Sequence, residues 1–284
     1  HEGDVVEHAD ATTAEWNLAD QAMDILDNAG VPNNLTTGNH DVTTSNGNGT
    51  NFDTYFPPSR YQGFSWYGGY LGQLVTDPVN RMNKNNYELF TAGGIDFVIL
   101  HLELDVPDYA LNWANGILHQ YPNRLGIITT HLFVDTTNTR RTTSQFLTNG
   151  NSAESIWQRL VKPNCNVIMV LNGHYPGEGR RTDLNDCGKP VQQLLADYQD
   201  RANGGDGWLR VMTFKPSENK VDVKTFSPSR NGGAGQYETD SDSQFTVDVD
   251  LTAGGSSFQQ IGTATGTPSG GTASMTWNGL AGGT

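Results

Sequence analysis

Apolar positions at helical spacing predict a helix near the start of the chain. Its inward face is formed by residues three or four apart: Trp16, Ala19, Met23 and Leu26. The pattern from Thr12 to Glu15 fits a capping box. Gly30 and Pro32 then end the helix.

Three apolar runs further along predict buried strands, at 97–102, 125–131 and 167–171. Two helical patterns separate them. One covers roughly Asp108 to Gln120; the other covers roughly Ser152 to Val161, with Asn151 as its cap and Glu154 three residues on. This alternation predicts an α/β fold, and strands without polar positions indicate a sheet that is covered on both faces.

The pattern changes after residue 207. Alternating strands are predicted at 208–214, 221–226 and 245–251, and they read as an antiparallel sheet that completes the same domain. A long loop rich in Asn, Gly and Tyr is predicted over 43–86, where substrate specificity is expected to lie. We therefore expect one domain over 1–252, followed by a Gly/Ser/Thr-rich segment over 253–284.

The composition narrows the class of protein. A length of 284 residues suits one large domain with a small appendage, and the net charge of −14 disfavours nucleic acid except as a phosphodiester substrate. No apolar run is long enough for a membrane span, so no membrane partner is expected. The acidic, lysine-poor composition favours a secreted (extracellular) protein. The chain starts at His1, which suggests a piece of something longer.

Cys165 and Cys187 are the two cysteines of the chain. They form either a disulfide or two free, buried thiols. Their polar flanking residues favour the disulfide, and their spacing excludes a CxxC redox or zinc site.

Polar residues follow or interrupt apolar segments at four places: Gly3-Asp4, Gly38-Asn39-His40-Asp41, Thr130-His131 and Asn172-Gly173-His174. Open α/β sheets bind ligands at the carboxyl ends of their strands. Two histidines, a carboxylate and an amide gathered there would suit a divalent transition metal. Each histidine alone is more often a packing residue; the ordered set favours a site.

This ordered set resembles the calcineurin-like metallophosphoesterases. The resemblance runs from Gly3 to about Leu251, and Gly38-Asn39-His40-Asp41 is its most specific element. It implies a four-layer α/β/β/α sandwich with two packed sheets, and a centre of two divalent metal ions (Mn, Fe or Zn) that share an aspartate. The implied activity is hydrolysis of phosphate monoesters or diesters.

The resemblance also assigns roles to residues. Metal ligands would be Asp4, Asn39, His131 and His174, with Asp4 as the bridging aspartate. His40 would contact the phosphate and protonate the leaving oxygen, with Asp41 as its orienting partner. Arg180 and Arg181 lie just beyond and are either phosphate-binding residues or solvated surface charges.

Two departures from the family pattern are present. The family's opening Asp-x-His or Asp-x-Gln would lie upstream of His1, and its closing Gly-His-x-His reads Gly173-His174-Tyr175-Pro176 here. The remaining ligands form a half-site that can hold one ion, so impaired activity is expected.

A second hypothesis is a non-catalytic extracellular binding module on a degenerate phosphoesterase fold. Pro176 motivates it, as does the tail from Ser269 to Thr284, which resembles the start of a fibronectin type III segment. A flexible linker is the alternative for that tail.

Overall fold

A computed structural model describes residues 1–9, 13–42, 46–73 and 81–252. The predictions made for Thr12 and for the tail at 253–284 lie outside these residues. The fold is mixed α/β, with a seven-stranded sheet and a second, four-stranded sheet.

The large sheet is mixed, with order β1-β2-β3-β4-β5-β7-β6. Its strands are β1 (Tyr67–Tyr70), β2 (Asn86–Ala92), β3 (Ile95–Leu102), β4 (Leu125–Thr130), β5 (Val167–Asn172), β6 (Gly177–Leu184) and β7 (Pro190–Asp197). The four central strands β3, β4, β5 and β7 run parallel, whereas β1, β2 and β6 join as antiparallel strands at the two edges. The carboxyl ends of these parallel strands therefore lie next to one another, along one end of the sheet.

The small sheet is antiparallel and is built around one strand. Its members are β8 (Leu209–Lys215), β9 (Lys220–Ser227), β10 (Gln236–Glu238) and β11 (Gln244–Asp248). β9 pairs with each of the other three. The predicted antiparallel sheet after residue 207 is thus present, with β10 as an additional strand.

The helices are α1 (Thr13–Asn28), α2 (Thr50–Tyr55), α3 (Pro58–Tyr61), α4 (Asp108–Gln120), α5 (Ala153–Ile156) and α6 (Ala202–Gly205). α5 continues as a π-helix over Trp157–Val161. Short 3₁₀ turns lie at Met82–Lys84, Pro216–Glu218 and Asn231–Gly233. None of the helices among the described residues combines the length and the apolar composition that a membrane crossing needs.

The cap of α5 differs from the predicted one. The hydroxyl of Ser152, not Asn151, accepts the hydrogen bond from the backbone amide of Ser155 at the start of α5. Glu15 accepts hydrogen bonds from the backbone amides of Glu7 and His8, both 2.9 Å long. Its carboxylate therefore anchors the N-terminal segment to α1.

The large sheet is covered on both faces, as its apolar strands predict. On one face, residues such as Leu100 and Val170 pack against α4 and the π-helix. On the other face, Phe97 and Met169 pack against Val221 and Val223 of the small sheet. A cleft of about 860 Å³ lies between the two sheets.

The helical fourth layer implied by the resemblance stays a prediction. Leu209 and Val211, on the outward face of the small sheet, are exposed. None of the described helices contributes to the core cluster of that sheet.

The predicted disulfide is confirmed. Cys165 and Cys187 are bonded, with their Cα atoms 5.6 Å apart. The bond joins the segment before β5 to the turn between β6 and β7.

Candidate metal centre

Two histidines stand where neighbouring parallel strands end. His131 directly follows β4, and His174 follows β5 after one glycine. Because these strands are parallel neighbours, the two imidazoles meet, with ring centroids 4.9 Å apart. This is the edge at which an α/β sheet is expected to bind ligands.

Asp4 and Asn39 reach the same point from segments without regular secondary structure, not from the ends of strands. The two segments touch through Gly3 and Gly38. A Cβ atom on Gly38 would lie 2.2 Å from Oδ1 of Asp4, and one on Gly3 would lie 2.5 Å from the backbone nitrogen of Gly38. Glycine at both positions allows the backbones to approach closely enough to place the ligands.

Four donor atoms converge at this point. Nε2 of His131 lies 3.0 Å from Oδ1 of Asn39, 3.1 Å from Nδ1 of His174 and 3.1 Å from Oδ2 of Asp4. The side chain of His131 is buried, and those of Asp4 and His174 are partly buried.

Protons cannot satisfy all of these contacts. Nδ1 of His131 lies 2.9 Å from the carbonyl oxygen of Glu2, which only accepts, so Nδ1 carries the proton. In neutral His131, Nε2 then presents a lone pair to the oxygens of Asn39 and Asp4. A protonated Nε2 could donate well to only one of its neighbours.

A divalent cation fits this donor set. Tetrahedral coordination with bonds of about 2.0–2.1 Å separates the ligand atoms by roughly 3.3 Å, close to the distances around Nε2 of His131. Two imidazoles, a carboxylate and an amide oxygen suit manganese, iron or zinc. The backbone carbonyl of Glu2 holds His131 in the tautomer that a metal requires.

The surroundings shift the pKa values of the two histidine ligands in opposite directions. Burial, reinforced by the charge of His131, lowers the pKa of His174 to about 4, so its imidazole is neutral at neutral pH. Burial also opposes charge on His131, but the hydrogen bond to Asp4 and the charge of Asp4 outweigh it, and the pKa of His131 is raised. A metal at this point therefore competes with a proton held between His131 and Asp4.

Two of the four proposed ligands have an unusual backbone conformation. Asp4 has φ +51° and His174 has φ +71°, in the left-handed region that residues other than glycine seldom adopt. Such conformations persist where the surrounding structure enforces them, and they concentrate at functional sites.

His40 lies beside the centre, and its ring has a different partner from the predicted one. Its backbone amide donates to Oδ1 of Asp4 at 2.8 Å, and its Nδ1 lies 2.9 Å from the carbonyl oxygen of Glu7. Thus Glu7, and not Asp41, orients the imidazole.

Asp41 acts on the backbone of the site. Its carboxylate accepts hydrogen bonds from the amides of Val5 and Gly38 at 2.8 Å and of Val6 at 3.2 Å. Burial raises the pKa of Asp41 to about 7, and the bonds from Gly38 and Val6 oppose that rise. Asp41 therefore ties the Gly3-Asp4 turn to the Gly38-Asn39 segment.

Arg180 and Arg181 are not at the metal centre. They lie on β6, where Arg180 stacks on Phe245 with 4.5 Å between guanidinium carbon and ring centroid, and Arg181 pairs with Asp183. Both line a separate cavity of about 600 Å³. The cavity at the metal centre, about 340 Å³, is lined by other residues that include Glu2, Asp4 and Asp197.

Sequence reasoning missed four residues beside His174: Arg141, Gln145, Phe146 and Tyr175. Nε2 of His174 lies 3.2 Å from the amide nitrogen of Gln145, and the Tyr175 hydroxyl donates to the amide oxygen of Gln145 at 3.1 Å. The ring centroid of Phe146 lies 5.4 Å from that of His174. Only Tyr175 could have been found, because it adjoins His174; the others lie in an irregular segment without periodicity.

Gln145 is positioned to orient His174. A metal on Nδ1 of His174 would require the proton on Nε2, which would then donate to the amide oxygen of Gln145. This needs the Gln145 amide turned over from the orientation shown, so that its nitrogen donates to the Tyr175 hydroxyl and its oxygen faces the ring. Gln145 is therefore a positioning residue for this ligand.

Gln145→Ala is expected to weaken binding of Mn²⁺ by about 10–100-fold, the usual effect of losing an outer partner of a ligand. Isothermal titration calorimetry with Mn²⁺ measures it. Gln120→Ala, at the exposed end of α4, is the matched control. Equal affinities in the two variants would show that Gln145 does not support His174.

No protein-family model matches the chain. Over 263 residues the chain is 34% identical to the uncharacterized protein YvnB of Bacillus subtilis strain 168. The match covers 88% of this chain and 19% of the Bacillus protein. The chain thus spans about a fifth of the length of this relative, whose name gives no activity.

Proposed function

We propose that this chain is a calcineurin-like metallophosphoesterase that hydrolyses phosphate monoesters or diesters with a divalent metal ion. The observation that carries the proposal is the convergence of Asp4, Asn39 and His174 on Nε2 of His131 at 3.0–3.1 Å. Two sheets packed face to face, with the site at the carboxyl ends of parallel strands, support the same assignment. A single phosphoesterase domain over 1–252 is part of the proposal.

The four ligands would hold the cation, which supplies positive charge to neutralise a phosphoryl group and to activate water. Asp4, Asn39 and His131 would hold it, and His174 would join them from the end of the next strand. We extend the proposal to an oxidising, extracellular compartment, which the Cys165–Cys187 disulfide supports.

His40 is the proposed general acid. The carbonyl of Glu7 accepts from its Nδ1, which leaves Nε2 to exchange a proton with the leaving oxygen. Burial opposes protonation of His40, but the Glu7 carbonyl and the charges of Asp4 and Glu7 raise its pKa. The imidazolium therefore persists to higher pH than for an ordinary histidine.

His40→Ala is expected to lower kcat for diphenyl phosphate and phenyl phosphate by about 10²–10⁴-fold, the usual contribution of a general acid. Phenol, which leaves poorly as an anion and so needs protonation, is measured as the product with Mn²⁺, Zn²⁺ or Fe²⁺. In the wild type, activity should fall as pH rises through the raised pKa of His40. His119→Ala, on the exposed end of α4, is the control. Equal activity in wild type and His40→Ala would refute this role.

A second candidate function is a non-catalytic, metal-binding module. It is favoured by Pro176, an exposed residue without a donor atom that stands where the family places another histidine. Tight metal binding without hydrolysis of either ester would favour this candidate.

A further inference from the structure

Arg141 stands next to the metal centre. Its guanidinium carbon lies 5.5 Å from the centre of the Tyr175 ring, and that ring lies 4.7 Å from the ring of His174. Arg141 is exposed, and its positive charge contributes to the low pKa of His174. A positive charge thus lies on the Tyr175 side of His174.

The segment that carries Arg141 is fixed. Oδ2 of Asp105 accepts hydrogen bonds from the backbone amides of Gln145, Phe146 and Leu147 at 2.7, 2.5 and 3.1 Å. The carbonyl of Arg141 accepts from the amide of Glu154 at 3.0 Å. The backbone is therefore held in place at Arg141 and again at residues 145–147.

The neighbouring arginine is committed to the fold. Arg140 is buried and binds Glu154 at 2.8 Å, Asp183 at 2.6 Å and the amide oxygen of Gln193 at 2.5 Å. Arg141 instead lies over the Tyr175 ring and forms a side-chain hydrogen bond with Tyr175. Aromatic support of this kind helps to orient a guanidinium, whose other N–H donors can still bind an anion.

The acidic lining of the metal-centre cavity favours a cation nearby. The protein carries a net charge of −14, and Glu2, Asp4 and Asp197 line the cavity at the metal centre. These carboxylates repel an anionic substrate. A guanidinium offsets the repulsion and binds two oxygens of one phosphate at once.

We propose that Arg141, supported by Tyr175, binds the phosphate group of the substrate at the metal centre, a role that rests on the proposed function. It replaces Arg180 and Arg181 in that role, since they face another cavity. Inorganic phosphate is the smallest ligand with which this role of Arg141 can be tested.

The test is calorimetric titration of the Mn²⁺-loaded protein with inorganic phosphate. Arg141→Ala should bind phosphate at least about tenfold more weakly than wild type, since a charge-assisted bidentate contact is lost. Arg141→Lys should fall between them, because it keeps the charge and loses the fork. Mn²⁺ affinity should be unchanged in both. The control is Arg159→Ala, an arginine that pairs with Asp108 away from the site.

Equal phosphate affinity in wild type and Arg141→Ala would overturn the inference, as would no phosphate binding by the loaded wild type. Active wild-type enzyme with an unaffected Arg141→Ala variant leaves the proposed function standing and removes only Arg141. Phosphate binding that depends on Arg141 in a protein without hydrolysis supports the anion site and rejects the catalytic function.

Discussion

Asp4→Asn is expected to lower the affinity for a divalent cation by more than about 100-fold, beyond the usual loss for an outer partner of a ligand, and to leave the fold intact. The change removes the carboxylate charge and preserves shape. Oδ1 can still accept from the amide of His40, which lies 2.8 Å away. The new amide nitrogen takes the place of Oδ2, 3.1 Å from Nε2 of His131, and donates a hydrogen bond to it. Asparagine also tolerates the φ of +51° at this position.

Calorimetry with Mn²⁺ and Zn²⁺ gives the affinities, and the rise in Tm with added metal gives an independent measure. The wild type should gain stability with metal, and Asp4→Asn should not. Glu218→Gln, an exposed carboxylate on the far turn before β9, is the charge-matched control. Metal affinity of Asp4→Asn equal to that of the control would mean that the cation is held elsewhere.

Gly38→Ala is expected to lower the free energy of unfolding by about 3 kcal/mol, at the upper end of overpacking effects, and to abolish metal binding. The added Cβ would lie 2.2 Å from Oδ1 of Asp4, 2.5 Å from its backbone nitrogen and 2.6 Å from Cε1 of His131. Backbone cannot yield as a flexible side chain can. The Asp4 turn must therefore move away, and the donor set opens with it.

Urea unfolding and Mn²⁺ titration of the same variant measure the two effects. Gly116→Ala is the matched control, because Gly116 lies in α4 with nothing within 4 Å of its added Cβ. Alanine there should stabilise the protein by about 1 kcal/mol through helix propensity. If Gly38→Ala kept both wild-type stability and wild-type affinity, the close contact of the two segments would not be essential.

The local pattern of apolar residues was sufficient to predict the elements that bury an apolar face. The helix predicted over Asp108 to Gln120 is α4, and the apolar runs became β3, β4 and β5 within a few residues. Burial of one helical face, or of both faces of a strand, leaves a periodic signal in the sequence.

The hydrophobic pattern did not predict β6 and β7, in which polar side chains are hydrogen-bonded to other parts of the fold. β7 contains Gln192 and Gln193, both buried, whose amides donate to the carbonyl of Asp248 and to Asp183. β6 is an edge strand with few apolar residues. In β7 the two glutamines interrupt the buried apolar residues Val191, Leu194 and Leu195, and β6 has few apolar residues, so neither strand shows a clear hydrophobic pattern.

By itself, the sequence determined the α/β class and the placement of His131 and His174 at strand ends, and it favoured the disulfide over free thiols, because these depend on local patterns and on chemistry of single residue types. The family resemblance predicted that Asp4 and Asn39 join these histidines, but only tertiary structure decided how: the contact depends on two glycines that let irregular backbones touch. It also decided that Arg140 is committed to the fold, because its guanidinium pairs with Glu154 and Asp183 from other elements. Contacts between residues tens of positions apart are fixed by packing, which no local pattern records.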